Sequence, residues 1–289
     1  MGTKSKGRKL LGLTAVAGGV GALGYLRNRW QRRKLFGPNR YPDGDCDPAE
    51  LGLEVEDRSF STGDGVELHG WWIPHRRALG TVLYCHGSSG SITHQVEVLA
   101  ALGQLRANLF AFDYRGYGRS TGEPSEAGLF RDARAAWDHL VEELAVRPEE
   151  ILLFGHSLGG AVAIDCALDR AAAGLVVESS FTQVRDMARA SYPGLPLHLV
   201  ARNQFRSIHK VGRLALPKLF IHGGSDERVP PEQGRRLYEA ASEPKELYLV
   251  PGAGHNDVHR HGGLRYLRRL SRFRSRCLRA AGRPESSGM

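Results

Sequence analysis

The amino-acid sequence predicts an α/β fold in which a mostly parallel sheet is covered by helices on both faces. The first observation is that short apolar runs typical of strands alternate with helical patterns over residues 54–275. The second is that strands separated by helices are joined by right-handed crossovers, which make neighbouring strands parallel. The third is length, because 289 residues with 41% hydrophobic and 25% charged side chains suffice for one large globular domain.

Seven segments have the composition and length of strands. They are Val66–Ile73, Thr81–Cys85, Asn108–Phe112, Ile151–Phe154, Gly174–Glu178, Lys218–His222 and Glu246–Val250. No helical pattern interrupts the chain before Ile73, so the opening strands are predicted to form an antiparallel edge. The clearest helix is predicted from Ser125 to Ala145, because leucines and alanines recur on one face and Ser125 can cap the first turn.

The longest interruption between two predicted strands is the segment 181–217. In a sheet enzyme such an insertion tends to lie over the carboxyl ends of the strands, where ligands bind, so we expect a short cap. A covering pair of helices without a role in binding is an equally good interpretation. Its apolar side chains are predicted to be exposed to a partner, namely Tyr192, Leu195, Leu197, Leu199 and Phe205.

The net charge of +9 comes from the two ends of the chain. Residues 1–42 carry ten basic and no acidic residues, and residues 260–289 carry nine basic residues and one acidic residue. Residues 43–259 between them are acidic, with 21 basic against 30 acidic residues. We therefore expect no nucleic-acid partner for the domain.

The basic N-terminal arm, residues 1–42, contains a segment without charge at residues 10–26. A helix of this length would reach roughly 25 Å, close to the ~30 Å of a bilayer core. We expect a single-pass anchor and a membrane location, on a side of the membrane that the flanking charges leave open. A cleaved signal peptide and a loosely structured interfacial arm remain alternatives, because five glycines lower the helix propensity.

The globular domain is predicted to cover residues 43–279, with a disordered tail at residues 280–289. Near its end, leucines and Phe273 recur at helical spacing among arginines. The favoured interpretation is a terminal helix packed on the domain with a solvated arginine face. A patch that touches anionic lipid is the alternative.

The four cysteines, Cys46, Cys85, Cys166 and Cys277, lie far apart in the sequence. Because no pair has the C-x-x-C spacing, neither a zinc site nor a disulfide scaffold is predicted. We expect buried or incidental thiols, and a single bridge remains open.

The strongest chemical signal is Gly155-His-Ser-Leu-Gly159, a G-x-S-x-G sequence between an apolar strand and a helical segment. A nucleophile elbow holds a serine on a sharp turn, so small residues two before and two after Ser157 let strand and helix approach closely. The backbone N–H groups at the start of the following helix can then stabilise developing negative charge. This context predicts a nucleophilic serine.

A serine nucleophile needs a general base and a group that orients the base. His255 is the predicted base, because it follows the last strand in a glycine-rich loop; His222, His259 and His261 are less suitable. Asp226 is the predicted acid, because it lies just beyond the strand that ends at His222 and completes the chain order serine, acid, histidine. Glu178 is the alternative acid.

The oxyanion formed during acyl transfer needs two N–H donors. The backbone amide of Leu158, directly after the nucleophile, is one candidate. The amide of Ser88 is the other, in the loop His86-Gly-Ser-Ser-Gly90 that follows a strand. The nearby loop Asp113–Ser120 is expected to be a tight, hydrogen-bonded loop beside the site without a direct catalytic role.

These motifs occur in an order that resembles the α/β-hydrolase superfamily: Val82–Gly87, Asp113–Ser120, Gly155–Gly160, His222–Asp226 and Gly254-His255. More narrowly, the chain resembles membrane-anchored serine hydrolases of the serine-aminopeptidase-like and monoacylglycerol-lipase-like branch. The resemblance covers residues 54–275 and implies an eight-stranded sheet and hydrolysis without a cofactor. Relatives often carry Asn where this chain has Ser88, although a backbone donor does not depend on the side chain.

The predicted function is a serine hydrolase of ester or thioester bonds, acting on a small-molecule acyl substrate that is lipid-like. Ser157 is the nucleophile, His255 the base and Asp226 the acid, with no metal and no cofactor required. An amidase of the serine-aminopeptidase type is one alternative. A catalytically silent, membrane-tethered binding module is another, but a scaffold needs none of the three residues.

Overall fold

A computed structural model of the chain describes residues 35–40, 47–191, 204–280 and 282. Its strands are β1 (Gly37–Pro38), β2 (Glu56–Ser61), β3 (Glu67–Ile73), β4 (Thr81–Cys85), β5 (Ser89–Gly90), β6 (Asn108–Phe112), β7 (Ile151–His156), β8 (Gly174–Glu178), β9 (Lys218–Gly223) and β10 (Lys245–Val250). Its α-helices are α1 (Val96–Gly103), α2 (Glu126–Glu142), α3 (Leu158–Cys166), α4 (Val184–Ser191), α5 (Pro231–Ala240) and α6 (Val258–Ala280).

Eight of these strands form one sheet in the order β10-β9-β8-β7-β4-β6-β3-β2. The pairs from β10 to β6 are parallel, whereas β3 pairs antiparallel with both β6 and β2. The predicted fold class and the antiparallel edge are thus confirmed. Because parallel strands end at the same edge, the loops after β4, β7, β9 and β10 meet there.

The sheet has a separate hydrophobic core on each face, as expected for a doubly covered sheet. Along β4, Leu83 and Cys85 face the core under α2 and α3, while Val82 and Tyr84 face the core under α1 and α6. All five residues of β4 are buried. β4 is therefore a central strand with both faces covered, whereas β10 lies at the edge of the sheet and is mostly half-buried.

The predicted helix at 125–145 is correct at its start and too long at its end. Ser125 caps α2, because its hydroxyl accepts a hydrogen bond from the amide of Gly128. The helix ends at Glu142, however, because Ala145 takes a left-handed φ of 51° and the amide of Val146 turns back to the carbonyl of Leu140. Apolar spacing alone does not show such a turn.

The segment predicted as an insertion is described only at its two flanks, and there one prediction is wrong. Phe205, expected to be exposed, is fully buried. Its ring packs edge-on against Phe36, at 6.2 Å between ring centroids, and against Phe130, at 5.5 Å. The other apolar residues of the predicted exposed set lie at 192–199, outside the described residues.

The C-terminal helix α6 packs against the sheet as predicted. Tyr266, Leu270, Phe273 and Cys277 on its inner face are buried, and its arginines at 265, 268, 272 and 276 face solvent. Two residues differ from the prediction, because Leu264 of the apolar face is exposed and Arg274 of the arginine face is buried. Within the described ranges, no helix combines the length and the apolar character that a bilayer-spanning helix needs. The predicted apolar segment at 10–26 and most of the predicted tail lie outside the described residues.

Candidate active site

Ser157 lies on a sharp turn between β7 and α3. Its backbone has φ 54° and ψ −117°, a conformation that L residues rarely adopt, and its amide donates to the carbonyl of Glu178 at 2.8 Å. The flanking glycines are required by close contacts. A Cβ on Gly155 would lie 2.2 Å from the carbonyl oxygen of Gly159, and one on Gly159 would lie 1.9 Å from that of Cys85. The structure therefore has the geometry of a nucleophile elbow.

His255 connects Ser157 to Asp226. Its Nε2 lies 3.0 Å from the Oγ of Ser157, and its Nδ1 lies 2.7 Å from Oδ2 of Asp226. With Nδ1 protonated and donating to the carboxylate, Nε2 is free to accept the hydroxyl proton. All three side chains are buried. The three residues predicted from the sequence thus form one hydrogen-bonded chain.

Asp226 is held as an ionised acceptor. Its Oδ1 accepts the amides of Arg228 at 3.0 Å and Val229 at 2.8 Å, while Oδ2 accepts from His255. Although burial acts to raise the pKa of Asp226, hydrogen bonds from His222 and His255 outweigh it and hold the pKa below the ordinary value of 3.8. The carboxylate can therefore orient His255 and stabilise its protonated form.

His222, which the sequence indicates to be less suitable as the general base, nevertheless lies in the site. Its Nε2 lies 3.3 Å from Oδ2 of Asp226 and 2.9 Å from the carbonyl of Val229. The ring is almost fully buried at the end of β9. It contacts the same carboxylate oxygen as His255, and only the folded loop creates this contact.

The loop after β4 approaches the nucleophile closely. A Cβ on Gly87 would lie 3.5 Å from the Cβ of Ser157. The carbonyl of Gly87 accepts from Nδ1 of His86 at 2.8 Å. Among the described residues, no hydrogen-bond acceptor is found for the amide of Ser88, and the amide of Leu158 is the first of α3 and has no acceptor within the helix. Neither predicted donor therefore has a hydrogen-bond acceptor in the described part of the chain.

A pocket of about 520 Å³ opens beside Ser157 at this edge of the sheet. The side chains that line it are mostly polar, with Tyr84 and Val98 as apolar exceptions. His156 lines it as well and donates from Nε2 to the carbonyl of His255 at 3.0 Å. Burial, helped by the nearby His255, lowers the pKa of His156 to about 3, so this ring stays neutral and steadies the base.

Glu178, the alternative acid, is not hydrogen-bonded to His255. Its Oε2 accepts from the hydroxyl of Tyr266 at 2.8 Å, and its side chain lines the pocket while only 2% exposed. Burial raises the pKa of Glu178 to about 7, against the opposing hydrogen bond from Tyr266. Asp226 therefore fits the orienting position better than Glu178.

His259 and His261, which are less suitable than His255 as the general base, make no hydrogen bond to Ser157. His261 faces Asp257 at 3.2 Å near the surface, and His259 lines the pocket. Asp257 in turn accepts the amide of Gly254 at 2.6 Å, which shapes the loop before His255. In the described ranges, no group of three or more His, Cys, Asp or Glu side chains is arranged to hold a metal ion.

Arg115 organises the loop beside the site without reaching the nucleophile. Its Nε donates to Asp132 of α2 at 2.8 Å, and its Nη1 donates to Asp64 at 2.9 Å. Arg115 is 6% exposed and Asp132 is fully buried. These contacts link the loop after β6 to a helix and to the turn between β2 and β3, which agrees with the structural role expected for this loop.

Comparisons with known proteins identify the family of the chain. A family model described as "Serine aminopeptidase, S33" matches residues 76–207. An uncharacterised protein of Mycobacterium tuberculosis is 40% identical over 248 residues, which cover 84% of this chain and 86% of that protein. The α/β-hydrolase-domain-containing protein WAV2 of Arabidopsis thaliana is 36% identical over 239 residues, 75% of this chain and 77% of that protein.

Solved structures show the same fold. An esterase of Pyrococcus furiosus superposes with a TM-score of 0.69 at 25% identity and covers 84% of this chain and 99% of that one. An α/β hydrolase of Vibrio vulnificus superposes with a TM-score of 0.65 at 23% identity, covering 77% of this chain and 82% of that one. The second likeness, at this lower identity, concerns the fold alone.

Proposed function

The chain belongs to the α/β-hydrolase family, with relatives of esterase and S33 type, and we propose that it is a serine hydrolase of carboxylic ester or thioester bonds. The observation that carries this proposal is the position of His255, 3.0 Å from the hydroxyl of Ser157 and 2.7 Å from the carboxylate of Asp226. A nucleophile, a base and an acid at these distances can perform acyl transfer.

The proposed reaction has two halves. Oγ of Ser157 attacks the acyl carbon while Nε2 of His255 takes the hydroxyl proton, and the carbonyl oxygen becomes an oxyanion held by the amides of Ser88 and Leu158. His255 then returns the proton to the departing alcohol or thiol, which leaves Ser157 acylated. In the second half, His255 takes a proton from water while the hydroxide attacks the acyl carbon. His255 then returns this proton to Oγ of Ser157, which releases the carboxylic acid and restores the free serine.

We propose a lipid-like acyl substrate for this site. The support comes from the sequence, in the uncharged segment at residues 10–26 and its flanking basic residues, which favour association of the N-terminus with a membrane. The polar wall of the pocket suits the ester group and the polar part of such a substrate. The small molecule would reach Ser157 beside Gly87 and Ser88, which line the same pocket.

A second candidate is an amidase of the aminopeptidase type. It is favoured by the family model, whose description is a serine aminopeptidase. The same residues would act, because amide and ester cleavage share the tetrahedral oxyanion and differ in the proton that the leaving amine requires.

The test of the proposed function is labelling by a fluorophosphonate probe. The full chain is expected to be labelled, Ser157→Ala is expected to lose the label, and Ser59→Ala, an exposed serine on β2, serves as the matched control. If the folded chain showed no Ser157-dependent labelling, this result would contradict the proposed hydrolase activity and favour the catalytically silent binding module. Panels of acyl esters of increasing chain length, thioesters and aminoacyl anilides then separate the substrate classes.

A further inference from the structure

Residues 35–40, near the end of the basic N-terminal arm, lie against the candidate active site. We call residues 35–40 the N-terminal strap. Its strand β1 pairs in parallel with β5, with Gly37 beside Ser89 and Pro38 beside Gly90. Asn39 lines the same pocket as Ser157. The sequence placed these residues in an arm without chemistry, whereas the structure makes them part of the wall of the site.

The strap contacts the carbonyl of Ser88, the residue whose amide is a proposed oxyanion donor. The carbonyl of Ser88 accepts two hydrogen bonds, from the amide of Gly37 at 2.8 Å and from the hydroxyl of Tyr117 at 2.9 Å. On the other side of the donor, the carbonyl of Gly87 accepts from His86 at 2.8 Å. The amide of Ser88 is therefore held between two anchored carbonyl groups.

Both ends of the strap are attached to the domain. Phe36 is 1% exposed, and its ring packs against Phe205 at the base of the insertion. At the other end, the carbonyl of Asn39 accepts from the amide of Gly118 at 2.8 Å, and Arg40 donates to the carbonyl of Gly122 at 3.3 Å. Because these contacts lie on either side of Gly37, they hold its amide in position to donate to the carbonyl of Ser88.

We propose that the N-terminal strap is a positioning element for the oxyanion, in which Gly37 and Tyr117 fix the loop that carries the Ser88 amide. This inference rests on the proposed serine-hydrolase function. An oxyanion donor acts only if it is in place before the charge develops, because a donor that must first be ordered loses that advantage. Residues 87–90 include two glycines and have little intrinsic stiffness, so the restraint comes from Gly37 and Tyr117.

The expected kinetic signature is a loss of kcat with little change in KM. The hydrogen bond from Ser88 strengthens as the oxyanion forms, so loosening its donor raises the barrier without weakening substrate binding in the ground state. Removal of a whole oxyanion donor lowers kcat by roughly 10²- to 10³-fold, and a loosened donor is expected to lower it by about tenfold.

Two variants remove the two hydrogen bonds independently in the full-length chain. Gly37→Pro lacks the amide hydrogen, and its reference is Gly37→Ala, whose added Cβ meets its nearest atom at an ordinary 3.4 Å. Tyr117→Phe lacks only the hydroxyl, and its reference is the unaltered chain. Each variant is expected to show about a tenfold lower kcat than its reference, with KM within about twofold and the same melting temperature.

Three outcomes decide the matter. The proposal is supported if both variants lose kcat selectively and also bind an alkyl boronic acid, an analogue of the tetrahedral intermediate, more weakly by the same factor. It is overturned if Tyr117→Phe keeps the kcat of the unaltered chain, even where Gly37→Pro fails to fold. If the unaltered chain shows no Ser157-dependent labelling, the proposed serine-hydrolase function is wrong, and the proposal for the strap fails with it. If the chain is labelled but both variants keep the kcat of their references, only the proposal for the strap is wrong.

Discussion

At the residue scale, hydrogen bonds keep Asp226 charged and burial keeps His156 neutral, so each group stays in one protonation state. Asp226 remains ionised because His222, His255 and two backbone amides donate to it. His156, one residue before the nucleophile, remains neutral because its ring is buried next to His255. A neutral His156 avoids placing a second positive charge beside the imidazolium that forms on His255 during acyl transfer.

Asp226→Asn should lower kcat by roughly 10⁴-fold while the protein stays folded, because an amide cannot hold the correct tautomer of His255. The matched control is Glu227→Gln, which alters the exposed neighbouring acid and should leave kcat unchanged. Steady-state hydrolysis of an activated ester measures both. If Asp226→Asn retained most of the activity while Glu178→Gln lost it, the orienting acid would be Glu178.

Glu178 should make stability fall with rising pH. Its folded pKa of about 7 lies above its ordinary value of 4.5, so between these values the unfolded chain loses the proton first and gains relative stability. Relative to Glu178→Gln, the free energy of unfolding should decrease by roughly 3 kcal/mol from pH 4.5 to 7 and then level off. Urea unfolding across this range measures it, and parallel pH curves for both proteins would contradict the buried neutral acid.

At the element scale, single contacts between neighbouring loops decide how the site is held. The turn after β9 is shaped around Asp226, the turn after β7 carries Ser157, and the loop after β4 is tied to the N-terminal strap. The nucleophile elbow also depends on β8, because the carbonyl of Glu178 accepts the amide of Ser157. Strain at Ser157 persists because these neighbours leave the turn no alternative path.

Arg115→Ala should destabilise the fold without a specific loss of chemistry. It would leave the buried carboxylate of Asp132 without its partner, and breaking a buried ion pair costs about 3–5 kcal/mol. The matched control is Arg131→Ala, which removes an exposed arginine from the same Asp64 and should cost at most about 1 kcal/mol. Urea unfolding and kcat per folded molecule are the measurements. Normal stability with a pure loss of kcat would contradict the structural role.

At the scale of the whole molecule, the charge is separated along the chain. An acidic middle, residues 43–259, holds the proposed chemistry, and basic residues are concentrated before and after it. Most of the described C-terminal arginines lie on the solvent face of α6, whereas Arg274 is buried. The N-terminal part directly precedes the strap, so whatever binds the N-terminus is connected through six described residues to the loop beside Ser157.

The full chain should bind lipid vesicles through its N-terminal apolar segment. Val20→Asp should release it, because an aspartate at the centre of a membrane helix costs about 2.5–3.5 kcal/mol, whereas Thr3→Asp, outside the uncharged segment, is the matched control. Vesicle co-sedimentation measures binding. An inserted anchor should persist in 1 M salt, at a Debye length of about 3 Å, while binding through arginines alone should be lost.

Much of the fold was predictable because its signals are local. The strands Thr81–Cys85, Asn108–Phe112 and Gly174–Glu178 have the predicted bounds, since each is a buried apolar run between turn residues. Ser157 could be found from a motif, and His255 and Asp226 from their positions after strands. The end of α2 and the burial of Phe205 were not predictable, because they depend on a single left-handed residue and on a distant aromatic partner.

By itself, the sequence determined the alternation of strands and helices, the elbow around Ser157, the order of the three candidate catalytic residues and the separation of charge. The strands, the helices and the elbow follow from patterns within a few residues, whereas the order of the three residues and the separation of charge are read along the whole chain. Only the tertiary structure decided that His222 supports Asp226, that Glu178 is buried away from His255, and that Gly37 and Tyr117 meet at Ser88. The contact between His222 and Asp226 depends on the fold of one loop. The other contacts join residues far apart in the chain, and they exist only where packing of the two cores brings the strand ends together.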